Sequence, residues 1–180
     1  IAQDPRRQAE LFLKTIGADP GELPAVLDLE GKYNETATSR QILAAAKAWL
    51  DLVEQATGRK SIIYSAYYYL RDKVSNPNVG GAPDWAKDYP LWVAQYPFLF
   101  SANSMPNKNM PTQPEGWQDW KFWQYSATGS VPGISGDVDL DRFNGSVADL
   151  QAFAIQSRVR KAVCDFNNDG KTDASFYNIN

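Results

Sequence analysis

The stretch Leu23-Pro24-Ala25-Val26-Leu27-Asp28-Leu29-Glu30 decides how the chain is read. An apolar run ends in two acids that flank one leucine. Read as a buried strand, it puts both carboxylates, at i and i+2, on the same face. Like charges that close are costly unless the protein uses them, and such a pair at the exit of a hydrophobic strand can carry general acid–base chemistry. Asp-x-Glu alone is a common tripeptide, for which two solvated acids at a strand end are the plainer reading. The rest of the chain decides between them.

Upstream, Asp4-Pro5 opens a helix, with Asp as N-cap and Pro at the first helical position. Ala9, Phe12, Leu13 and Ile16 recur at helical spacing, and Gly17 is its stop. Downstream, a polar loop leads to Thr38 with Gln41, a capping-box pair. Ile42, Ala45, Ala46, Trp49, Leu50 and Val53 mark the buried face of the helix that follows. Ser61–Ser65 reads as a strand, Ala66–Val74 as a helix and Leu91–Tyr96 as a strand. Residues 97–116 are irregular, with prolines at 97, 106, 111 and 114. Trp120–Ser126 and Asp137–Asp141 read as further strands, and Ser146 with Asp149 caps a last helix. Strands separated by helices imply parallel pairing and right-handed crossovers. The expected fold class is α/β: part of an irregular, TIM-like (β/α) barrel with later strands only and a short C-terminal extension. A doubly wound open sheet is the structural alternative. Neither G-x-G-x-x-G nor G-x-x-x-x-G-K-[ST] occurs, so no nucleotide loop is signalled.

Composition narrows the chemistry. The 180 residues suffice for one domain with a proper core. A net charge of −3 gives no basic stripe for nucleic acid, and no apolar run approaches membrane-helix length. Histidine is absent, which removes Ser-His-Asp and Cys-His nucleophile systems and His-ligated zinc sites. The single Cys164 has no intrachain disulfide partner and reads as a packing residue. Carboxylates are the acid–base groups left. Aromatic residues make up 13% of the chain, and their exposed faces suit sugar rings, although most of them belong to a core.

The strand ends share a chemistry. They carry Asp28 and Glu30, then Tyr64 and Ser65, then Gln95 and Tyr96, then Gln124 and Tyr125, with Asp137, Asp139 and Asp141 in the last strand. In a parallel barrel such ends converge on one face. A cleft of acids, tyrosines, amides and tryptophans suits a neutral, polyhydroxylated substrate.

The segments Leu23–Glu30, Ile62–Ser65, Leu91–Tyr96, Trp123–Ser126 and Val138–Gly145, in that order, resemble family 25 of the glycoside hydrolases across residues 4–155. Members are lysozymes, N-acetylmuramidases that cut the β-1,4 bond after N-acetylmuramic acid in peptidoglycan. The resemblance implies an irregular β/α barrel. It makes Glu30 the general acid, Asp28 an assistant acting on the substrate's N-acetyl group, and Asp139 the acid of the late Val-Asp motif. It places Tyr64, Trp92, Gln95, Tyr96, Gln124 and Tyr125 along the sugar cleft. A glycosidic bond needs a carboxylic acid on its leaving oxygen and negative charge near the oxocarbenium-like centre, so Glu30 is expected to have a raised pKa from Asp28 and partial burial. No cofactor is implied for catalysis. The expected partner is peptidoglycan polysaccharide, the expected location extracellular and the expected state monomeric.

The family pattern normally opens with a strand bearing another active-site aspartate, followed by two more strand–helix units. Residue 1 corresponds to a point after the third strand, so the catalytic domain over residues 1–155 is expected to be partial. Residues 156–161 read as a linker. In residues 162–180, Asp165, Asn167, Asp169, Lys171 and Asp173 resemble a calcium loop of FG-GAP type, with a polar turn as the plainer alternative. Sequons occur at Asn34 and Asn144. Two other functions stay open at this point. One is a chitinase-like glycosidase, disfavoured by Val26 where a further acid is usual; the other is a non-catalytic, calcium-dependent carbohydrate-binding module.

Overall fold

The computed structural model describes residues 4–18, 21–31, 34–97 and 109–155. Helix α1 spans Pro5–Ile16 and starts as its sequence dictates: the Arg6 amide donates to Asp4 Oδ1 at 3.0 Å. Strand β1, Val26–Asp28, follows. Helix α2, Ser39–Thr57, opens on a complete capping box: the Gln41 amide donates to Thr38 Oγ1 (3.3 Å) and the Thr38 amide to Gln41 Oε1 (2.9 Å). It stops at Gly58, whose left-handed φ of 69° is one that glycine adopts without strain.

Strand β2 is Ile62–Ala66 and runs directly into α3, Tyr67–Tyr69, which widens into a π-helical stretch, Leu70–Val74. The sequence pattern shows a helix there, but not the wider turn, closed by the Ser75 amide on the Leu70 carbonyl at 2.7 Å. Short 3-10 turns at Pro77–Val79 and Ala86–Asp88 lead to β3, Leu91–Ala94. Strand β4 is Phe122–Gly129, β5 is Val138–Phe143 and α4 is Val147–Ile155. The Ser146–Asp149 cap forms: the Asp149 amide donates to Ser146 Oγ at 3.2 Å, and the Ser146 amide to Asp149 Oδ2 at 2.8 Å.

The sheet has five strands in the order β1-β2-β3-β4-β5. The first three neighbouring pairs are parallel, as expected of strands joined by long crossovers. The last corrects the expectation: β4 and β5 pair antiparallel. A turn rather than a helix joins them, and so short a connection permits only a hairpin. Reversal leaves the first half of β5 beside the last half of β4, because Val138 pairs with Gly129 and Leu140 with Ser126. Asp139 therefore still lies at the carboxyl end of the parallel strands.

The core lies between the sheet and α2. Leu50 and Val53 of α2, Ile63 of β2 and Leu91 and Val93 of β3 are buried in one cluster. Each such side chain contributes about 1.5–3 kcal/mol relative to exposure. Phe12 of α1 tilts onto Trp49 of α2, with ring centroids 5.3 Å apart. Buried Trp117 and Trp123 satisfy their indole N–H groups on the Tyr89 and Gln95 carbonyls, at 3.2 and 2.8 Å. Residues 156–180 lie outside the described residues. That covers the expected linker, Cys164 and the candidate calcium ligands Asp165, Asn167, Asp169, Lys171 and Asp173.

Candidate active site

Strand register builds the site. Asp28, Tyr64, Trp92 and Phe122 lie side by side across β1 to β4. Two residues on, Ala66, Ala94, Gln124 and Asp141 form the next row. Residues of one row share a face, and a spacing of two keeps that face. Glu30 and Tyr96 lie just past the ends of β1 and β3, where the Asp28 charge acts on Glu30 and the Glu30 charge on Tyr64 and Tyr96. Small side chains at Ala66 and Ala94 leave room between the rows for the larger polar groups.

Those groups form a connected set. The Tyr64 hydroxyl donates to Gln124 Oε1 at 2.9 Å, and the Tyr96 hydroxyl donates to the same oxygen. Gln124 is buried, so a carboxamide from β4 ties a hydroxyl of β2 and one just past β3 together at the floor of the site. The Trp92 indole stands edge-on to the Tyr64 ring at 5.3 Å and donates its N–H to Asp141 Oδ1 at 2.7 Å.

The electrostatics match what an acid catalyst needs. Partial loss of water raises the Glu30 pKa from its ordinary 4.5, and the Asp28 charge raises it further. Burial likewise raises the Asp28 pKa from 3.8. The Asp141 pKa is raised by burial, with the Trp92 hydrogen bond working against the shift and the Asp139 charge working with it. Tyr64 is held firmly neutral, first by burial and then by Tyr96, Glu30, Asp28 and Asp139. Tyr96 is raised by burial, Asp139 and Glu30. Glu30 and Asp139 thus act on both phenols and Asp28 on Tyr64, which brings the acids at the end of β1 and in β5 to one place.

Two expected cleft residues sit elsewhere. Gln95 alternates with Ala94 and Tyr96, so it faces the core and is 2% exposed. Its amide is used up on Thr112: the Thr112 N–H donates to Oε1 at 2.7 Å, and Nε2 donates to Thr112 Oγ1 at 3.2 Å. Gln95 latches the loop before β4 rather than lining a sugar site. Tyr125 alternates with Gln124 and packs on Trp123, with ring centroids 5.7 Å apart, against the buried cluster. Tyr64, Trp92, Tyr96 and Gln124 keep their expected face. Asp141 joins them through its register opposite Gln124 and the hydrogen bond from Trp92, and its i+2 spacing from Asp139 is the signal that could have placed it. Among the described residues no group of three or more acidic or thiol side chains is arranged to hold a metal ion.

The family model "Glycosyl hydrolases family 25" matches residues 1–134. The uncharacterized protein YegX of Escherichia coli K12 is 39% identical over 146 residues, covering 81% of this chain and 46% of its own length. Lysozyme M1 of Streptomyces globisporus is 33% identical over 154 residues, covering 82% of this chain and 47% of its own. The chain spans about half the length of these relatives. Among solved structures, a bacterial lysozyme from Streptomyces coelicolor superposes with a TM-score of 0.68 at 30% identity, over 87% of this chain and 69% of that one.

Proposed function

The chain belongs to family 25 of the glycosyl hydrolases, and from that premise we propose that the protein carrying it is a muramidase. It hydrolyses the β-1,4 bond between N-acetylmuramic acid and N-acetylglucosamine in bacterial peptidoglycan, outside the cell membrane. The observation that carries this reading is Glu30, a carboxyl of raised pKa beside Asp28 whose charge acts on Tyr64 and Tyr96, the two phenols joined through the Gln124 carboxamide.

Glu30 is the general acid. Its raised pKa keeps the proton available for the leaving glycosidic oxygen at a pH where an ordinary glutamate has lost it. Asp28, close enough for its charge to act on Glu30, supplies negative charge to the acetamido group or the oxocarbenium-like centre as the bond stretches. Asp139 adds charge from β5. Trp92, fixed by Asp141 and Tyr64, offers an aromatic face to a sugar ring. Tyr64 and Tyr96 spend their protons on Gln124, which leaves their oxygens free to accept from sugar hydroxyls or an acetamide N–H.

The test is Glu30→Gln in the protein that carries this chain, assayed by release of soluble fragments from purified peptidoglycan. Loss of a positioned general acid costs about 100- to 10,000-fold in rate. A Glu30→Gln variant that keeps wild-type turnover removes Glu30 from the role.

A further inference from the structure

We propose that Asn34 and Ser65 are positioning residues for Glu30, holding the two peptide carbonyls that flank its Cα. The inference rests on the reading of Glu30 as the acid.

Strand β1 ends at Asp28, so Glu30 lies beyond the last paired residue. One ladder bond continues past that end, from the Leu29 amide to the Tyr64 carbonyl at 2.9 Å. The carbonyls of Leu29 and Glu30 lie beyond it, and side chains take them. Ser65 Oγ donates to the Leu29 carbonyl at 2.6 Å. Asn34 Nδ2 donates to the Glu30 carbonyl at 2.8 Å. The anchors come from opposite directions: Ser65 from the core face of β2, and Asn34 from the turn that follows Glu30.

Each anchor is otherwise hard to explain. Ser65 is fully buried, at 0% exposure, on the face that carries Ile63, where an apolar side chain of similar size would pack as well. A buried hydroxyl persists where it has a partner, and this partner is the carbonyl of the peptide leading into Glu30. Asn34 is built into its turn by backbone bonds of its own, its amide donating to the Gly31 carbonyl (2.8 Å) and its carbonyl accepting from the Ala37 amide (3.0 Å). Its side chain is therefore delivered from a fixed point. Tyr69 closes the far side: a Cβ at Gly31 would meet the Tyr69 ring at 3.5 Å. A general acid has to sit within hydrogen-bond reach of the leaving oxygen, and displacement by about 1 Å can cost 100-fold.

The experiment uses Asn34→Ala, Ser65→Ala and, as a control, Asn144→Ala in the protein that carries this chain. Asn144 also donates its amide to a backbone carbonyl, that of Trp120 at 3.0 Å, but at the opposite end of the sheet. Two readouts are taken on folded variants: the Glu30 carboxyl titration by carbon NMR, and kcat and KM on soluble peptidoglycan strands. The expected result is a Glu30 midpoint that falls back toward 4.5 in Asn34→Ala and Ser65→Ala, and stays put in Asn144→Ala. With it, kcat drops about 10- to 100-fold while KM changes little. If Ser65→Ala does not fold, Asn34→Ala decides. An unchanged Glu30 midpoint in the folded Asn34 variant overturns the proposal, as does a shift of equal size in the Asn144 control. If the wild-type protein turns over no peptidoglycan, the muramidase reading fails, and the titrations still decide whether these residues position Glu30.

Discussion

Asp28 and Glu30 are exposed enough to meet a substrate, yet the aromatic groups around them strip away enough water to raise both pKa values. A carboxyl raised in the folded state holds its proton more tightly there than in the unfolded chain. Its favourable linkage is complete below the unfolded value and is lost as the pH rises through the folded one. The Asp28→Asn/Glu30→Gln double variant, which has no such loss, is expected to melt above wild type at pH 7. The gap should close near pH 4, close to the ordinary values of 3.8 and 4.5. A thermal melting series across that range checks it, and a gap that is widest at pH 4 contradicts it. With Glu30 in the proposed role of acid, the alkaline limb of activity should lie above 4.5 and follow Glu30. Gln95 belongs to stability instead. Gln95→Leu strands the Thr112 N–H and should cost about 1–3 kcal/mol in chemical denaturation while leaving kcat on peptidoglycan near wild type.

Elements whose signals are local were legible in advance. Asp4-Pro5, Thr38 with Gln41 and Ser146 with Asp149 are chemical instructions to nearby backbone, and each cap forms. Thr38→Ala should cost about 1 kcal/mol, read by denaturant midpoint, with Thr38→Ser recovering most of it. The direction of β5 was also available, since Gly129, Gly133 and Gly136 mark a turn with no crossover helix; reading every strand end alike obscured it. Alternation along β3 and β4 would likewise have separated Gln95 from Tyr96, and Tyr125 from Gln124. The β4–β5 hairpin depends on a contact that sequence does not display. A Cβ at Gly129 would lie 2.4 Å from Leu140 Cγ and 2.7 Å from the Val138 carbonyl. Overpacking of this kind costs about 1–3 kcal/mol, so Gly129→Ala should lower stability by that amount. It should also reduce activity, because the hairpin carries Asp139 and Asp141.

At the scale of the molecule, the acid-bearing strand depends on distant parts of the chain. Arg59, buried just before β2, donates from Nη2 to the Glu22 carbonyl at 3.1 Å and the Ala154 carbonyl at 3.4 Å. One guanidinium thus joins the approach to β1 with the end of α4, where a cation is favoured. Nothing in the pattern around Arg59 announces this, because its partners are backbone atoms 37 and 95 residues away. The asparagines of both sequons are committed in the same long-range or cross-turn way: Asn34 to the Glu30 carbonyl, and Asn144 to Asp119 and the Trp120 carbonyl. What the strand ends did convey was their convergence, and the register of the sheet bears that out for Asp28, Tyr64, Trp92 and Gln124.

The role proposed for Glu30 is to protonate the glycosidic oxygen of the bond after N-acetylmuramic acid. Its most direct test is mass spectrometry of peptidoglycan, digested by the protein that carries this chain and reduced to mark new ends. Wild type is expected to leave reduced N-acetylmuramic acid at those ends, and Glu30→Gln about 100-fold less or none. Reduced N-acetylglucosamine at the new ends, or equal release by the Glu30→Gln variant, would contradict it.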